Sequence, residues 1–374
     1  MPAKVVVSRH LGDQAMEMLA KCPEIKLLVW PHDRKADREW LLEAAKDAVG
    51  LVVTLSDKVD KELLNAAGPS LKVVSTMSVG YDHIDVGELT ARGIKLGFTP
   101  DVLTDAVADI AIMLALMASR NVKQSMDIVH AGHWPATPWS PFLLTGPQLS
   151  SPGTTVGFVG FGRIARATLA RLIPFGISRV LYTRSSPPNS LVPTQDKELM
   201  DMYSTLADAQ HVTTTELARQ SDFVFVLAPG GANSRHLINR EFLRSMKPKA
   251  ILINPGRGED LAHVDRLLTE CENLGSVVDS GALAEALREG RIWGAGLDVI
   301  DGGIVPTDQR LVVYSRTAEP NIPADHPLVK EPRAIVLPHI GSATLETRLN
   351  MAILAADNMV YAIKGDKMPS EAKI

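Results

Sequence analysis

A glycine turn between a short apolar run and an amphipathic stretch constrains the fold of this chain more than any other feature. Residues 156–159 are apolar, the turn Gly160-Phe161-Gly162 follows, and apolar side chains then recur at helical spacing until a second apolar run at 180–182. This order predicts a strand, a tight turn, a helix and a second strand, which together form one βαβ unit. An α/β fold with parallel strands is therefore predicted.

The turn also fits a dinucleotide-binding fingerprint. Gly160, Gly162 and Ala165 have the spacing G-x-G-x-x-G/A. Gly160 permits the tight turn, Gly162 lets the backbone approach a pyrophosphate, and Ala165 is small enough for the helix to pack on the strand. The N-terminus of the helix then offers N–H groups to the phosphates. A purely structural turn is the alternative, but a strand before the turn and a helix after it favour a nucleotide site.

The residues after the second apolar run indicate which dinucleotide binds. An NAD site usually places Asp or Glu there for the ribose hydroxyl. This chain has Thr183, Arg184, Ser185 and Ser186 instead. A guanidinium and two hydroxyls suit a 2′-phosphate, so NADPH is predicted as the cofactor, with NADH as the second choice. The alternative interpretation of Arg184 is a solvated arginine at a strand end.

Length and composition exclude several classes of protein. The 374 residues suffice for two domains, and a net charge of −4 gives no basic surface for nucleic acid. Cys22 and Cys271 form neither a C-x-x-C motif nor a disulfide framework. His130 and His133 lack a third ligand, so no metal site is predicted. The apolar run 110–118 is too short to span a bilayer, and a cytoplasmic protein with no membrane partner is expected.

The chain divides into two predicted domains. Strand-like runs occur at 4–8, 26–30, 50–54, 71–76 and 94–98, with helical patterns between several of them. The fingerprint then opens a second domain, for which six strands are predicted, with the later four at 223–228, 250–254, 294–299 and 334–338. The last helix, 343–364, ends before Gly365 and is expected to return to the first domain. The predicted boundaries are 1–103 with 340–374 for one domain and 104–339 for the other.

The segment between these domains suggests a partner. A helix is predicted over 101–121 with Thr104 as its N-cap. Because 110–118 is apolar all round, this helix is expected to be buried where two domains meet. The loop 131–152 that follows is rich in Pro and Gly and carries Trp134, Trp139 and Phe142. Such side chains are costly to leave in water, so this loop is predicted to form a partner surface, such as a second subunit.

Polar side chains follow three strands of the second domain. Arg257, Asp298 and His339 each come at or just past a strand end. The carboxyl ends of parallel strands share one edge with the phosphate turn, so these side chains are expected to face one cleft. A guanidinium can bind a carboxylate in a bidentate manner, and an imidazole can give or take a proton near neutral pH.

Several motifs together resemble one known family. VGFVGFGRIA, NPGRG, GLDV, EPNIPADHPL and PHIGSAT, in this order, are similar to motifs of the D-isomer-specific 2-hydroxyacid dehydrogenases. STMSVGYDHID, FTPDVLTDAVAD and the closing MPSE resemble the branch that reduces glyoxylate and hydroxypyruvate. The resemblance covers nearly the whole chain. It implies two Rossmann-like domains with a cleft between them, a flavodoxin-like substrate-binding (catalytic) domain and an NAD(P)-binding Rossmann domain.

The resemblance also implies roles for individual residues. Arg257 corresponds to the arginine that holds the substrate carboxylate and carbonyl, and His339 to the acid that protonates the carbonyl oxygen as hydride arrives. Glu319 corresponds to the carboxylate that pairs with this histidine and favours its protonated form. Val79 and Gly80 correspond to backbone that binds the substrate carboxylate. The cofactor-binding positions are Thr104, Gly160, Gly162, Arg163, Ile164, Arg184, Ser185, Pro229, Asp298 and Gly341. Trp139 resembles a tryptophan that reaches the site of the neighbouring subunit in a homodimer.

Two segments depart from the family pattern beside the predicted catalytic residues. Residues 259–275 separate Arg257-Gly258 from a Val-Val-Asp phrase, and residues 300–317 separate Asp298-Val299 from Glu319. Surface insertions cost little closure entropy, about 0.6 kcal/mol per doubling of loop length, so both could be natural loops. Each also has the length and in-frame position of an unspliced short intron, which is the hypothesis favoured here.

Three functions remain open from the sequence. The leading prediction is NADPH-dependent reduction of glyoxylate to glycolate and of hydroxypyruvate to D-glycerate. Another D-2-hydroxyacid dehydrogenase is the near alternative, since substrate choice depends on a few pocket residues. An NAD(H)-binding corepressor or a catalytically impaired paralogue is the third, because the same fold serves both roles and the insertions adjoin the catalytic residues.

Overall fold

The computed structural model describes residues 2–81, 83–184, 194–228, 234–256, 277–300, 304–307, 310–313 and 322–374. Within these residues the chain forms two compact units. The first comprises residues 2–103 with Ser342–Ile374, and the second is built from the described residues between Thr104 and Gly341. Each unit has its own parallel sheet with helices, so the prediction of an α/β fold is confirmed.

The first unit has a sheet of five parallel strands among its described residues. They are β1 (Ala3–Val7), β2 (Ile25–Val29), β3 (Gly50–Val53), β4 (Val73–Thr76) and β5 (Lys95–Gly97). The strand order β2-β1-β3-β4-β5 is the flavodoxin-like order. Every residue of β3 and β4 is buried, which explains why neither strand has the alternating pattern of a half-exposed strand. The helices are α1 (Asp13–Ala20), α2 (Arg38–Ala45), α3 (Lys61–Ala67) and α4 (Val86–Ala91).

The described residues of the second unit form a sheet of seven parallel strands, one more than predicted. The strands of this sheet are β6 (Thr155–Val159), β7 (Arg179–Tyr182), β8 (Asp208–His211), β9 (Phe223–Val226), β10 (Ile251–Asn254), β11 (Gly294–Leu297) and β14 (Ala334–Val336). Two further strands, β12 (Ile304–Thr307) and β13 (Arg310–Val313), form a separate antiparallel pair. The sheet order is β14-β11-β10-β9-β6-β7-β8. The missed strand β8 lies at the edge, where the polar sequence DAQH can pair with β7 and still expose side chains to water.

The helices of the second unit lie on its sheet. They are α5 (Thr104–Ser119), α6 (Val122–His130), α7 (Arg163–Leu172), α8 (Thr194–Met202), α9 (Thr214–Gln220), α10 (Arg240–Ser245), α11 (Ser280–Arg288) and α12 (Pro327–Lys330). The helix α5 packs against α7 and against β10, β11 and β14. A Cβ on Gly296 of β11 would come within 2.8 Å of Leu114, so the close approach of α5 requires glycine there.

Three details of the predicted segment 101–152 are corrected. The helix α5 begins at Thr104 itself, so Thr104 is its first residue rather than its N-cap. The helix is also not buried all round, because Met113 and Leu116 each expose 37% of their surface. The predicted helix 101–121 is shorter than expected, and α6 follows it. In the loop 131–152, Trp134, Trp139 and Phe142 expose 69%, 84% and 84%.

The long helix α13 (Leu345–Lys364) packs against α1, β3 and β4 of the first unit. The Ser75 hydroxyl donates to the Ala355 carbonyl at 2.8 Å, and the Asn358 amide donates to the Phe98 carbonyl at 3.0 Å. The helix ends at Gly365, whose φ of 83° is left-handed, as predicted for a C-terminal glycine. Both ends of the chain therefore build one hydrophobic core.

Candidate active site

The glycine turn of the second unit has the geometry that the fingerprint predicts. Gly160 follows β6 with a φ of 86°, and a Cβ there would lie 2.5 Å from the Ala228 Cα. Gly162 is the N-cap of α7, and a Cβ on it would meet nothing within 4 Å. Ala165 is fully buried in the core between α7 and the sheet. The three small residues thus serve three different purposes: a left-handed turn, an open approach to the helix N-terminus, and close packing.

The end of β7 is tied directly to this turn. The Gly160 N–H donates to the Thr183 hydroxyl at 3.2 Å. The Tyr182 ring is buried and stacks on Phe161 of the turn with 4.5 Å between ring centroids. The Arg184 guanidinium lies 5.8 Å from the centroid of the Tyr182 ring. Arg184 is therefore held beside the turn, and no carboxylate stands at residues 182–184 to bind a ribose hydroxyl.

A residue that the sequence analysis missed lies on the neighbouring strand. His211 ends β8, pairs in register with Tyr182, and stacks on its ring at 5.4 Å with an interplanar angle of 7°. The His211 imidazole and the Arg184 guanidinium therefore both lie near the Tyr182 ring at this end of the sheet. The signal in the sequence is weak, because His211 belongs to the polar stretch DAQH, whose pattern does not predict a strand.

The carboxyl ends of β11 and β14 meet at a second cluster of the same unit. Asp298 directly follows β11 and is 1% exposed. Its carboxylate accepts the N–H of Ile340 at 2.8 Å and the N–H of Gly341 at 2.7 Å. His339 follows β14 by three residues and has a φ of 54°, an uncommon conformation for a residue with a side chain. Asp298, His339 and Gly341, predicted separately from sequence, are therefore in one hydrogen-bonded group.

The first unit carries its own polar group after β4. The Thr76 hydroxyl lies 2.7 Å from the Ser78 hydroxyl and 3.0 Å from His83 Nε2. The Thr99 N–H donates to the Ser78 carbonyl at 2.9 Å. These contacts fix the start of the loop that contains Val79 and Gly80. Val79 is nearly buried, and Gly80 is more open, so the backbone at this strand end is both anchored and accessible.

Comparison with known proteins decides the family. Residues 5–373 match the model of the D-isomer-specific 2-hydroxyacid dehydrogenase catalytic domain. The human glyoxylate reductase/hydroxypyruvate reductase is 37% identical over 371 residues, covering 99% of this chain and 98% of that protein. The chain belongs to the D-isomer-specific 2-hydroxyacid dehydrogenase family. It is an oxidoreductase that acts on 2-oxo acids with a nicotinamide dinucleotide.

Other relatives of this dehydrogenase come from distant organisms. The glyoxylate reductase of Thermofilum pendens is 37% identical and covers 98% of this chain and 93% of that protein. A solved structure of an NADPH-dependent glyoxylate/hydroxypyruvate reductase from Sinorhizobium meliloti, in complex with NADP and malonate, has a TM-score of 0.71 and 30% identity. It covers 100% of this chain and 97% of that chain.

Three of the remaining predicted residues of the dehydrogenase lie at the start of helices. Arg163 and Ile164 open α7, and Thr104 opens α5. The predictions for Arg257, Glu319, Ser185 and Pro229, and for most of the departures 259–275 and 300–317, lie outside the described residues. Among the described residues no group of three or more His, Cys, Asp or Glu could hold a metal ion. No helix in this part of the chain is long and apolar enough to cross a membrane.

Proposed function

We propose that this dehydrogenase reduces glyoxylate and hydroxypyruvate with NADPH. The observation that carries the choice of cofactor is Arg184, a guanidinium held beside Tyr182 at the end of β7, where an NAD site would have a carboxylate. The names of the relatives above support the choice of substrate. The predicted domain 1–103 with 340–374 would bind the substrate, and the predicted domain 104–339 would bind the cofactor.

The residues present fit a dinucleotide. Gly162 leaves space beside the N-terminus of α7, where N–H groups and the positive end of the helix dipole favour a pyrophosphate. Arg184 and Ser185 would bind the 2′-phosphate of the adenosine. Arg163, Ile164, Pro229 and Thr104 would line the same site. The bound cofactor supplies a hydride to the carbonyl carbon of the 2-oxo acid.

The protein's own residues would supply the other parts of the reaction. Arg257, together with the backbone of Val79 and Gly80, would bind the substrate carboxylate, and Arg257 would also polarise the carbonyl. His339 would donate a proton to the carbonyl oxygen as the carbon accepts the hydride, which gives the hydroxyl of the product. Glu319 would pair with His339 and keep it protonated before the reaction.

A homodimer is part of the proposal. Trp134, Trp139 and Phe142 expose large apolar rings in one loop, which a second copy of the chain would cover. Trp139 would then contribute to the partner's substrate site. Light scattering after size-exclusion chromatography of the wild type and of Trp139→Ala tests this surface: a monomeric wild type would refute the dimer, and a wild-type KM for Trp139→Ala would refute the contribution to the partner's site.

The decisive experiment follows the absorbance of reduced nicotinamide with purified protein, glyoxylate or hydroxypyruvate, and NADPH or NADH. Faster consumption of NADPH is expected. The variant Arg184→Gln should lose about ten- to a hundredfold in kcat/KM for NADPH, as expected for a charge-assisted contact, while the value for NADH stays unchanged. Arg219→Gln, which removes an exposed guanidinium from α9, is the matched control. A preference for NADH would refute the role of Arg184.

The effect of the two departures from the family pattern, residues 259–275 and 300–317, is tested by a separate experiment. If the protein binds NADPH but turns over neither acid, the same assay is run on a chain that lacks residues 259–275 and 300–317. Activity that appears only in the shortened chain would identify these segments as the cause, in agreement with an unspliced origin. Activity in the full chain would identify them as natural loops. Sequencing of the mature transcript distinguishes the two origins directly.

A further inference from the structure

Three consecutive backbone N–H groups in the second unit donate to a single residue. The His339 N–H donates to the Asp298 carbonyl at 3.0 Å, the Ile340 N–H to its Oδ1 at 2.8 Å, and the Gly341 N–H to its Oδ2 at 2.7 Å. Both carboxylate oxygens and the carbonyl of Asp298 are therefore engaged with one turn. This is the turn that begins with His339.

The turn needs such a restraint because its first residue is strained. His339 has a φ of 54°, in the left-handed region that residues with a Cβ rarely adopt. A residue stays in such a conformation only when its surroundings over-determine it. Here the bonds from the Ile340 and Gly341 N–H groups fix the peptide planes on the C-terminal side of His339. The His339 N–H and the Leu337 N–H, which donates to the Leu297 carbonyl at 2.8 Å, fix the backbone on the side before it.

Asp298 is itself held in place. Its N–H donates to the Asn254 carbonyl at 2.9 Å, and its side chain is 1% exposed. The packing between Gly341 and this carboxylate is also close: a Cβ on Gly341 would lie 2.8 Å from Asp298 Oδ2 and 3.5 Å from the Pro255 carbonyl. The acceptor and the turn thus fit each other only when residue 341 is glycine.

We propose that Asp298 is a positioning residue that holds the backbone of His339 in the orientation from which the imidazole delivers its proton. This rests on the proposed role of His339 as the acid, and it gives Asp298 a function apart from the nicotinamide contact that the family resemblance implies. Asparagine cannot replace it, since an amide offers one acceptor and turns an N–H group toward the second N–H of the turn.

The first test compares Asp298→Asn with the wild type. Displacement of a catalytic group by about 1 Å costs on the order of a hundredfold in rate, so kcat should fall by about this factor. The dissociation constant of NADPH, measured by its fluorescence, should change less than about threefold, well under the effect expected from loss of a direct charge-assisted contact. In a His339→Gln background the same substitution should have little further effect on kcat. A loss of NADPH affinity with kcat unchanged, or an undiminished kcat effect in the His339→Gln background, would overturn the proposal.

A second readout does not need turnover. In protein labelled at the histidine ring carbon, the NMR resonance of His339, assigned by its absence in His339→Gln, should shift and broaden in Asp298→Asn. Gly341→Ala should produce the same change, because its Cβ displaces Asp298 Oδ2 and leaves the carboxylate intact. An unmoved His339 resonance in both variants would refute the positioning role even if the enzyme reduced none of the acids tried, so this outcome is separate from failure of the proposed function.

The matched control is Asp222→Asn. The Asp222 carboxylate also accepts a backbone N–H, from Thr155 at 2.9 Å, but at the opposite end of the same sheet. Its loss should lower thermal stability and leave both kcat and the His339 resonance unchanged. If Asp222→Asn reproduced the kinetic and NMR signature of Asp298→Asn, the signature would reflect general loosening of the sheet and the proposal would fall.

Discussion

Adding one methyl group at either glycine of the turn should have opposite consequences. In Gly160→Ala the new Cβ lies 2.5 Å from the Ala228 Cα and 2.6 Å from its N, and the residue must keep a φ of 86°. The left-handed strain costs about 1–3 kcal/mol and the overlap a further 1–3 kcal/mol. A loss of about 2–6 kcal/mol in the free energy of unfolding is expected, which is a large part of the usual total of about 5–15 kcal/mol.

In Gly162→Ala the fold should survive and the cofactor site should not. The Cβ meets nothing within 4 Å, and the φ of −89° and ψ of −161° are open to alanine. The free energy of unfolding should therefore change by less than about 1 kcal/mol, because loss of a good N-cap is offset by reduced entropy of the unfolded chain. The methyl group stands where the pyrophosphate would approach, so the dissociation constant of NADPH should rise more than about tenfold.

Urea unfolding and a fluorescence titration with NADPH measure the two effects on the same samples. The reasoning fails for the fold if Gly160→Ala unfolds at the urea concentration of the wild type, since the close approach to Ala228 would then be wrong. It fails for the site if Gly162→Ala binds NADPH like the wild type, since the pyrophosphate would then pass elsewhere.

Three further changes test the stability of individual elements. Thr213→Ala removes the hydroxyl that caps α9 and should lower the free energy of unfolding by about 1 kcal/mol. A urea midpoint equal to that of the wild type would contradict this role of the cap. Burial opposes ionisation of Asp60, but the Leu63 N–H and the Arg38 guanidinium hold its pKa below the usual value. Asp60→Asn should therefore be less stable by up to about 1 kcal/mol at neutral pH, a difference that vanishes as the pH falls through the folded-state pKa. Burial raises the pKa of Asp357, so its protonated form stabilises the fold at low pH and this contribution is lost as the pH rises through the folded-state pKa. Asp357→Asn should raise the melting temperature at neutral pH and not below pH about 3.9, and an equal effect at both would contradict this account.

Much of the fold could be read from the sequence because periodicity and glycine position determine it locally. Strands buried on both faces, such as β3 and β6, consist largely of consecutive apolar residues, and such short runs predict buried strands. The edge strand β8 could not be predicted in this way, because three of its four residues are polar and Gln210 is exposed to water. The exposure of Met113 and Leu116 could not be predicted either, since an apolar run does not show which faces of its helix are covered by other elements.

In the candidate site, too, features set by local sequence could be predicted, and contacts between distant parts of the chain could not. Gly160, Gly162 and Arg184 could be predicted as candidates because the backbone geometry of a turn and the chemistry of a phosphate each demand particular residue types at fixed spacing. The threefold acceptor at Asp298 could not, because it depends on where two strands distant in sequence end relative to each other. His211 shows the same limit, as its contact with Tyr182 follows from pairing between β7 and β8 rather than from any local pattern.

The return of the last residues to the first unit has a consequence for synthesis on the ribosome. The Ser75 hydroxyl donates to the carbonyl of Ala355, which is translated 280 residues later. The Leu96 carbonyl accepts the N–H of Ala372 at 2.8 Å, almost at the end of the chain. The second unit is complete in the nascent polypeptide before α13 has been translated. The amino-terminal segment must therefore remain unfinished while the later segment folds, and a premature stop that removes α13 should yield a folded second unit attached to an aggregation-prone first unit.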